Sequence, residues 1–346
     1  MSHALRVALI GHGYVGRTFH APLIASVPDL ALTLVASSQP DAVQARWPHA
    51  RVTADYLAAA TDPDVDLVVI ATPNDSHHPL AAAALRAGKH VVIDKPFTVT
   101  LDEARELVQL AHAHGRLLSV FQNRRWDGDF LSLRQAMQSG ALGEVREFIS
   151  RFDRFDPLPR DRWRERAGPG AGLWYDLGPH LIDQALLLFG APDSVTADLA
   201  CLRDGSAAVD YAQVVLGYAQ RRVTLHASRL NAWTAARFEA HGTDGSFVSF
   251  GLDSQEAQLK AGMAPGETGW GEDARPTLLQ RGGQPAVEEH ARLHGDYRLY
   301  YLGVRDAILD GAANPVPAEE ALRVMAVLDC ALRSAAEGRT LRFEPS

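Results

Sequence analysis

Residues 8–24 read "ALIGHGYVGRTFHAPLI". An apolar run ends in Gly11, Gly13 and Gly16, and a second apolar stretch follows. This is G-x-G-x-x-G set between a strand and a helix. Each glycine then has a task. The first permits a tight turn, the second lets a pyrophosphate approach the backbone, and the third allows close packing of helix on strand. The unpaired N–H groups at the helix start offer partial positive charge to phosphates. The loop, with Tyr14 and Val15 between its last two glycines, is expected to bind a dinucleotide rather than merely to turn the chain.

The sequence around this loop supports the same reading. Short apolar runs at 5–10, 32–37, 66–71, 90–95 and 117–122 alternate with helix-like stretches such as "HHPLAAAALRAG" (77–88) and "LDEARELVQLAHAHG" (101–115). Alternation of this kind predicts βαβ units and a doubly wound parallel sheet, the Rossmann arrangement, over residues 1–122. Beyond 122, strand-like segments follow one another at 144–152, 194–202, 210–219, 221–230 and 236–250, with "GTDGS" (242–246) as a hairpin turn. They predict an α+β domain over 123–346 with an open, mainly antiparallel sheet. Residues 262–286 are rich in Gly and Pro and are expected to form a surface loop, and two helices are expected near 295–310 and 318–337. If Val215, Val223 and Leu225 face outward, the exposed sheet face predicts a homodimer or a dimer of dimers.

The 346 residues carry 34 basic and 42 acidic side chains, a net −8, which argues against a general nucleic-acid or membrane-surface binder. Two cysteines without metal-type spacing fit a reducing, cytoplasmic setting, and no metal site is expected. The short N-terminal apolar run leads straight into glycines and is not expected to be a signal peptide.

Strand tips of a parallel sheet face the ligand crevice. The second strand ends "VASSQPD", with Ser37 and Ser38 where an acid would grip the ribose of NAD. Two hydroxyls can donate to a 2′-phosphate, so NADP is expected as the preferred cofactor, with NAD as the other candidate. Thr72, Pro73, Asn74 and His77 follow the next apolar run and are expected to line the nicotinamide half. Lys95 ends "VVIDK" on the same rim, beside Asp94 and held by Pro96. Further along, "GPGAGLWYDLGPHLIDQALLLFGAP" (168–192) places Asp176 and His180 four apart on one helical face, with Asp183 and Gln184 continuing the stripe. Leu181, Ile182, Ala185 and Phe189 form the apolar stripe. In the ordinary reading, Asp176 caps the helix and His180 is a buried histidine. With the glycine loop and the rim lysine added, the three residues make a proton-transfer site.

The stretches "GHGYVGRTFHAPLI", "ATPNDSHHPLAAAALRAGKHVVIDKPFTVT", "QNRRWDGDF" and "LWYDLGPHLIDQALLLFGAP" resemble the Gfo/Idh/MocA oxidoreductases across essentially the whole chain. The wording "FHAPLI" and "DLGPHLIDQAL" is most similar to a branch containing NADP-dependent scyllo-inositol dehydrogenases. The resemblance implies hydride transfer between a polyol or sugar, of inositol or aldose type, and nicotinamide. It implies Lys95, Asp176 and His180 as catalytic residues. His180 would take the hydroxyl proton, Lys95 would stabilise the alkoxide, and Asp176 would orient the histidine or a neighbouring hydroxyl. The family's Glu-Lys-Pro is here Asp94-Lys95-Pro96, with a stem one carbon shorter. The resemblance also implies cofactor contacts from Trp163 and Arg164; Asp94, Pro96 and Gln122, at the strand ends of the first domain, are expected to contact the cofactor as well. Asn123, Arg124 and Arg125 are expected to contact substrate hydroxyls or to bridge domains, and Tyr297 to line the pocket or pack in the second domain's core. A non-catalytic dinucleotide sensor and an NAD-dependent glycoside hydrolase are the competing readings on this fold.

Overall fold

The computed structural model describes residues 4–344. The chain falls into two compact units. The first holds the described residues up to Asn123 together with Gln255–Trp270 and Asp296–Leu322; the second holds Arg124–Ser254, Gly271–Gly295 and the described residues from Arg323. The chain first crosses between units at Asn123–Arg124, and two later segments return to the first unit. No helix among the described residues is long and apolar enough to cross a membrane.

The first unit is a six-stranded parallel sheet built from β1 (Leu5–Ile10), β2 (Leu30–Ala36), β3 (Arg51–Thr53), β4 (Leu67–Ile70), β5 (His90–Ile93) and β6 (Leu118–Val120), in the order β3-β2-β1-β4-β5-β6. Leu9, Ile10, Val68, Val69, Val91 and Val92 are fully buried, as strands covered on both faces require. The strand β3 has only three residues and no apolar run, and the sequence pattern does not predict it. The helix Leu101–His114 starts at a capping box: the Thr100 side chain accepts from the Glu103 N–H (3.2 Å), and the Glu103 carboxylate accepts from the Thr100 N–H (3.0 Å). It ends at Gly115 in the left-handed region (φ 59°). Such local signals explain why this helix is legible in the sequence.

The second unit carries a nine-stranded sheet of β7 (Val145–Arg151), β8 (Ser194–Ala200), β9 (Tyr211–Tyr218), β10 (Arg221–Ser228), β11 (Ala236–Gly242), β12 (Gly245–Phe250), β13 (Thr277–Arg281), β14 (Val287–His290) and β15 (Leu341–Arg342). Their order is β14-β13-β12-β11-β7-β10-β9-β8-β15, and every pair is antiparallel except β7 with β10.

Two expectations are corrected here. Residues 262–286 are not simply a surface loop, because β13 pairs with β12 and Trp270 is buried. Val223 and Leu225 do not face outward: both are fully buried on the face packed beneath the helix Leu173–Phe189, and only Val215 of the three lies on the open face. The period-two alternation holds, but the side is the opposite one for these two residues, which share a strand face because they are two apart.

Candidate active site

In the first unit, the parallel sheet brings five chain crossings to one edge. Beyond the strand ends, the hydrogen bonding continues from tip to tip. The Gly11 N–H donates to Ala36 O (2.9 Å), Ala71 to Ile10 O (2.8 Å), Asp94 to Ile70 O (2.8 Å) and Phe121 to Ile93 O (2.8 Å). The edge therefore carries the glycine loop, Ser37, Thr72, Lys95 and Gln122 side by side.

The glycines fulfil their separate tasks. Gly11 sits at φ 96°, and a Cβ there would lie 2.6 Å from Ala71 O. A Cβ on Gly16 would lie 2.0 Å from Gly11 O, so nothing larger fits between helix and loop. A Cβ on Gly13 would meet nothing within 4 Å, which leaves the approach that a pyrophosphate needs. The side-chain Oε1 of Gln122 is a buried acceptor with no partner. These features fit a bound dinucleotide, held by the Gly11–Gly16 loop and the strand tips.

Ser37 is buried, and its Oγ accepts from the Gln39 N–H (3.1 Å), leaving its own hydrogen to donate; Ser38 is exposed. Asp41 lies in the first turn of the helix Pro40–Arg46, an ordinary helix-start position. Tyr14 is partly exposed, and its hydroxyl donates to Glu256 Oε1 (3.1 Å). His12, which no sequence signal singles out beyond its place in the loop, is buried with Nε2 unpartnered. Burial lowers its pKa, and the charges of Arg17 and Arg46 lower it further, so the loop lies in a positive field.

Lys95 is half-buried, and its bond to Pro96 is cis. Asn74 is buried, whereas Thr72 is half-buried and Pro73 exposed. His77, expected to line the crevice, is fully buried instead. Its Nδ1 lies 2.9 Å from Pro96 O and its Nε2 3.0 Å from Thr72 O, so it braces two rim loops through their backbones. Tyr297 is also fully buried, and it packs in the first unit, not the second. Its ring lies 6.4 Å from Phe19, and its N–H donates to Gln255 Oε1 (2.7 Å).

In the second unit, one helix spans Leu173–Phe189 with Pro179 inside it. Its N-cap is Gly172, which places Asp176 within the first turn and excludes the capping role for that acid. Asp176 lies 3.6 Å from Arg229 and 4.0 Å from Arg164. His180 is buried, and its ring lies nearly parallel to Phe152, 6.5 Å between centroids. The rest of the polar stripe is gripped by arginines. Asp183 accepts a bidentate pair from Arg125 (2.9 and 2.6 Å), and Gln184 accepts from Arg237 (2.7 Å) and donates to Arg124 O (2.9 Å).

Arg124 pairs with Asp127 (3.2 Å) and lies over the Phe152 ring. Arg124 and Arg125 are both buried and tied to the helix or its neighbours, which favours holding the helix in place over an exposed substrate contact. Asn123 is likewise buried. Trp163 is exposed, with the Arg164 guanidinium over its ring (5.0 Å). Arg229, which comes within 3.6 Å of Asp176, is missed by sequence reasoning, since one arginine after a strand carries no signal.

A dinucleotide-type parallel sheet with an intact glycine loop, followed by a mixed sheet domain, defines an NAD-binding oxidoreductase. Residues 5–122 match the oxidoreductase-family NAD-binding Rossmann fold and residues 134–343 match its C-terminal alpha/beta domain, and the chain belongs to the Gfo/Idh/MocA family. It is 52% identical over 343 residues to the uncharacterized oxidoreductase YdgJ of Escherichia coli (strain K12), covering 99% of each chain. It is 35% identical over 345 residues to the NADP(+)-dependent scyllo-inositol 2-dehydrogenase IolW of Bacillus subtilis (strain 168), covering 98% of this chain and 96% of that one. The crystal structure of an oxidoreductase from Klebsiella pneumoniae shares the fold with a TM-score of 0.93 at 50% identity, over 100% of this chain and 96% of that one.

Proposed function

We propose that this oxidoreductase is an NADP-preferring dehydrogenase or reductase acting on a hydroxyl carbon of a polyol or sugar, with Lys95, Asp176 and His180 as its catalytic residues. The observation that carries the reading is the rim lysine, half-buried at the strand edge that also bears the glycine loop. When bound, the nicotinamide supplies the hydride acceptor or donor. The reading requires Lys95 and His180 to act on the same hydroxyl. As His180 takes the hydroxyl proton, negative charge grows on the oxygen and the Lys95 ammonium stabilises it; that charge is used up as the hydride leaves the carbon and the carbonyl forms. Asp176, a carboxylate within 4.0 Å of Arg164 and Arg229, would orient the histidine or a neighbouring hydroxyl.

The NADP preference is supported by Ser37 and Ser38 at the β2 tip, by the positive field around His12, and by the likeness to IolW. The inositol or aldose class of substrate also rests on that likeness. A homo-oligomer through the open sheet face is supported by a register row that sets the apolar Val215, Ile149, Val248 and Leu278 beside Thr224 and Glu239. Light scattering at micromolar concentration tests it, and a mass near 37.5 kDa counts against it.

The functional test is a screen of inositols and aldoses, and of their keto forms, against NADP(H) and NAD(H). Turnover of a polyol or its ketone with tighter use of NADP(H) is expected. Tight cofactor binding without net redox on any member of the panel would favour the sensor or hydrolase readings instead.

A further inference from the structure

Behind the rim lysine, in the first unit, lies a chain of three buried polar side chains that the reaction as described does not use. Residues Gly16–His20 form a π-helical turn between the glycine loop and the helix Ala21–Ala25. Such turns re-aim side chains and recur at functional sites. Here the turn ends at His20, whose side chain is fully buried. His20 Nδ1 lies 2.6 Å from the hydroxyl of Tyr301 on the helix Arg298–Leu309, and His20 Nε2 lies 3.4 Å from Asp94 Oδ1 at the end of β5. The Phe121 ring centroid lies 4.4 Å from that of His20 and 5.9 Å from that of Tyr301, and all three side chains are buried.

The directions of these hydrogen bonds follow from the chemistry of the groups. An ionised carboxylate only accepts, so the His20 proton sits on Nε2. Nδ1 then accepts from the Tyr301 hydroxyl. That phenol keeps its proton, since burial, reinforced by Tyr300 and by the charge of Asp94, pushes its pKa well up. Burial alone would push the Asp94 carboxyl up as well. Its pKa is nevertheless held below the ordinary carboxylate range, because the hydrogen bond from His20 and the charge of Lys95 outweigh desolvation. Among the described residues, His20, Lys95 and His77 are the titratable groups that act on Asp94, with Tyr301 reached through His20.

We propose that His20 and Tyr301 are positioning residues for Lys95, acting through Asp94: the chain Tyr301–His20–Asp94 fixes a negative charge next to the lysine and so holds its ammonium at the rim. A lysine ammonium is a point charge on a flexible four-carbon stem, and a fixed counter-charge restricts where it can go. The inference rests on Lys95 being the alkoxide-stabilising residue.

The test pairs a carboxylate titration with kinetics. In enzyme carrying 13C-labelled aspartate, the Asp94 carboxyl is assigned by its loss in Asp94→Asn and followed from about pH 5 to about pH 8, around the neutral range. It should stay ionised throughout in the wild type and titrate within that window in His20→Phe, with a smaller upward displacement in Tyr301→Phe. On the substrate found by the screen, the kcat of His20→Phe relative to wild type should be reduced by about tenfold where its Asp94 is protonated, and should recover as pH rises through the titration. Asp94→Asn should be slow at every pH. Cofactor affinity and melting confirm folding, and Tyr301→Phe, which removes one oxygen, serves if His20→Phe does not fold.

An Asp94 that remains ionised in both variants, or a kcat ratio flat with pH while Asp94 titrates, overturns the inference. A Lys95→Ala enzyme with wild-type turnover removes the catalytic reading itself. A slow Lys95→Ala with unaltered His20→Phe and Tyr301→Phe removes only the role of the chain.

Discussion

At the edge of the parallel sheet, Gly11, Ala71, Asp94 and Phe121 are each held by a backbone hydrogen bond to the neighbouring strand tip. On the helix Leu173–Phe189, the polar stripe is held by side chains: Asp183 by Arg125, Gln184 by Arg237, and Asp176 within 4.0 Å of Arg164 and Arg229. The first arrangement follows from strand order and glycine spacing, so its residues stay in place whatever their side chains do. The second depends on buried guanidinium groups brought from distant parts of the chain. A change at the sheet edge should therefore alter chemistry and leave the fold intact, whereas a change around the helix should often alter both.

The largest effects expected are chemical. Lys95→Ala should lower kcat by about 100-fold or more, the scale of losing a transition-state charge stabiliser, with little change in cofactor Kd. His180→Ala should cost about 100- to 10,000-fold and remove its limb of the pH profile. Steady-state kinetics with a cofactor titration check both. Lys95→Ala losing cofactor affinity and thermal stability together would erase the contrast between the two regions.

Next comes Arg125→Met, which leaves the Asp183 carboxylate buried without its bidentate partner. A loss of about 3–5 kcal/mol of stability is expected, the range for breaking a buried pair from one side. Urea denaturation reads it directly. A loss confined to kcat, with stability unchanged, would make Arg125 a substrate-binding residue after all.

A smaller effect is expected at the β2 tip. Ser37→Asp preserves an acceptor for the Gln39 N–H and adds a negative charge where a 2′-phosphate would sit. The ratio of kcat/KM for NADP over NAD should fall by about tenfold or more, the scale set by a charge-assisted hydrogen bond to phosphate. An unchanged ratio would move the 2′ position elsewhere.

A further effect concerns acid stability in the first unit. His90 Nδ1 accepts from the Leu117 N–H (3.0 Å), and burial, with Arg116 beside it, lowers its pKa to about 4. The unfolded chain takes up this proton near 6.5 and the folded chain only near 4, so stability should fall as pH drops through that window. Melting temperatures of wild type and His90→Asn across the window check it; the variant should lose less stability on acidification.

The same contrast explains what can be read from sequence. The glycine loop, the strand tips at Ser37, Thr72 and Lys95, and the capping box at Thr100 are signalled within a few residues of themselves, and all are legible. The stripe Asp176–His180–Asp183–Gln184 is legible as a helical face, but its guanidinium partners are not. Arg125 and Asp183 are 58 positions apart, and nothing local marks the pair. His20 and Tyr301 are 281 apart, and only the fold brings them together. The strand β13, five residues between Gly- and Pro-rich flanks, is hidden by its neighbours' composition. Val223 and Leu225 are misplaced by the sequence pattern because alternation reveals two faces but not which of them a helix covers.

The central claim is that Lys95, from the sheet edge, and His180, from the helix, serve one hydroxyl. A kinetic double-mutant cycle on Lys95→Ala, His180→Ala and the double variant tests it most directly. Residues acting as a unit on one transition state are strongly non-additive, so the double variant should be little slower than the slower single variant. Rate reductions that multiply, or single variants that keep near-wild-type turnover, would contradict the account.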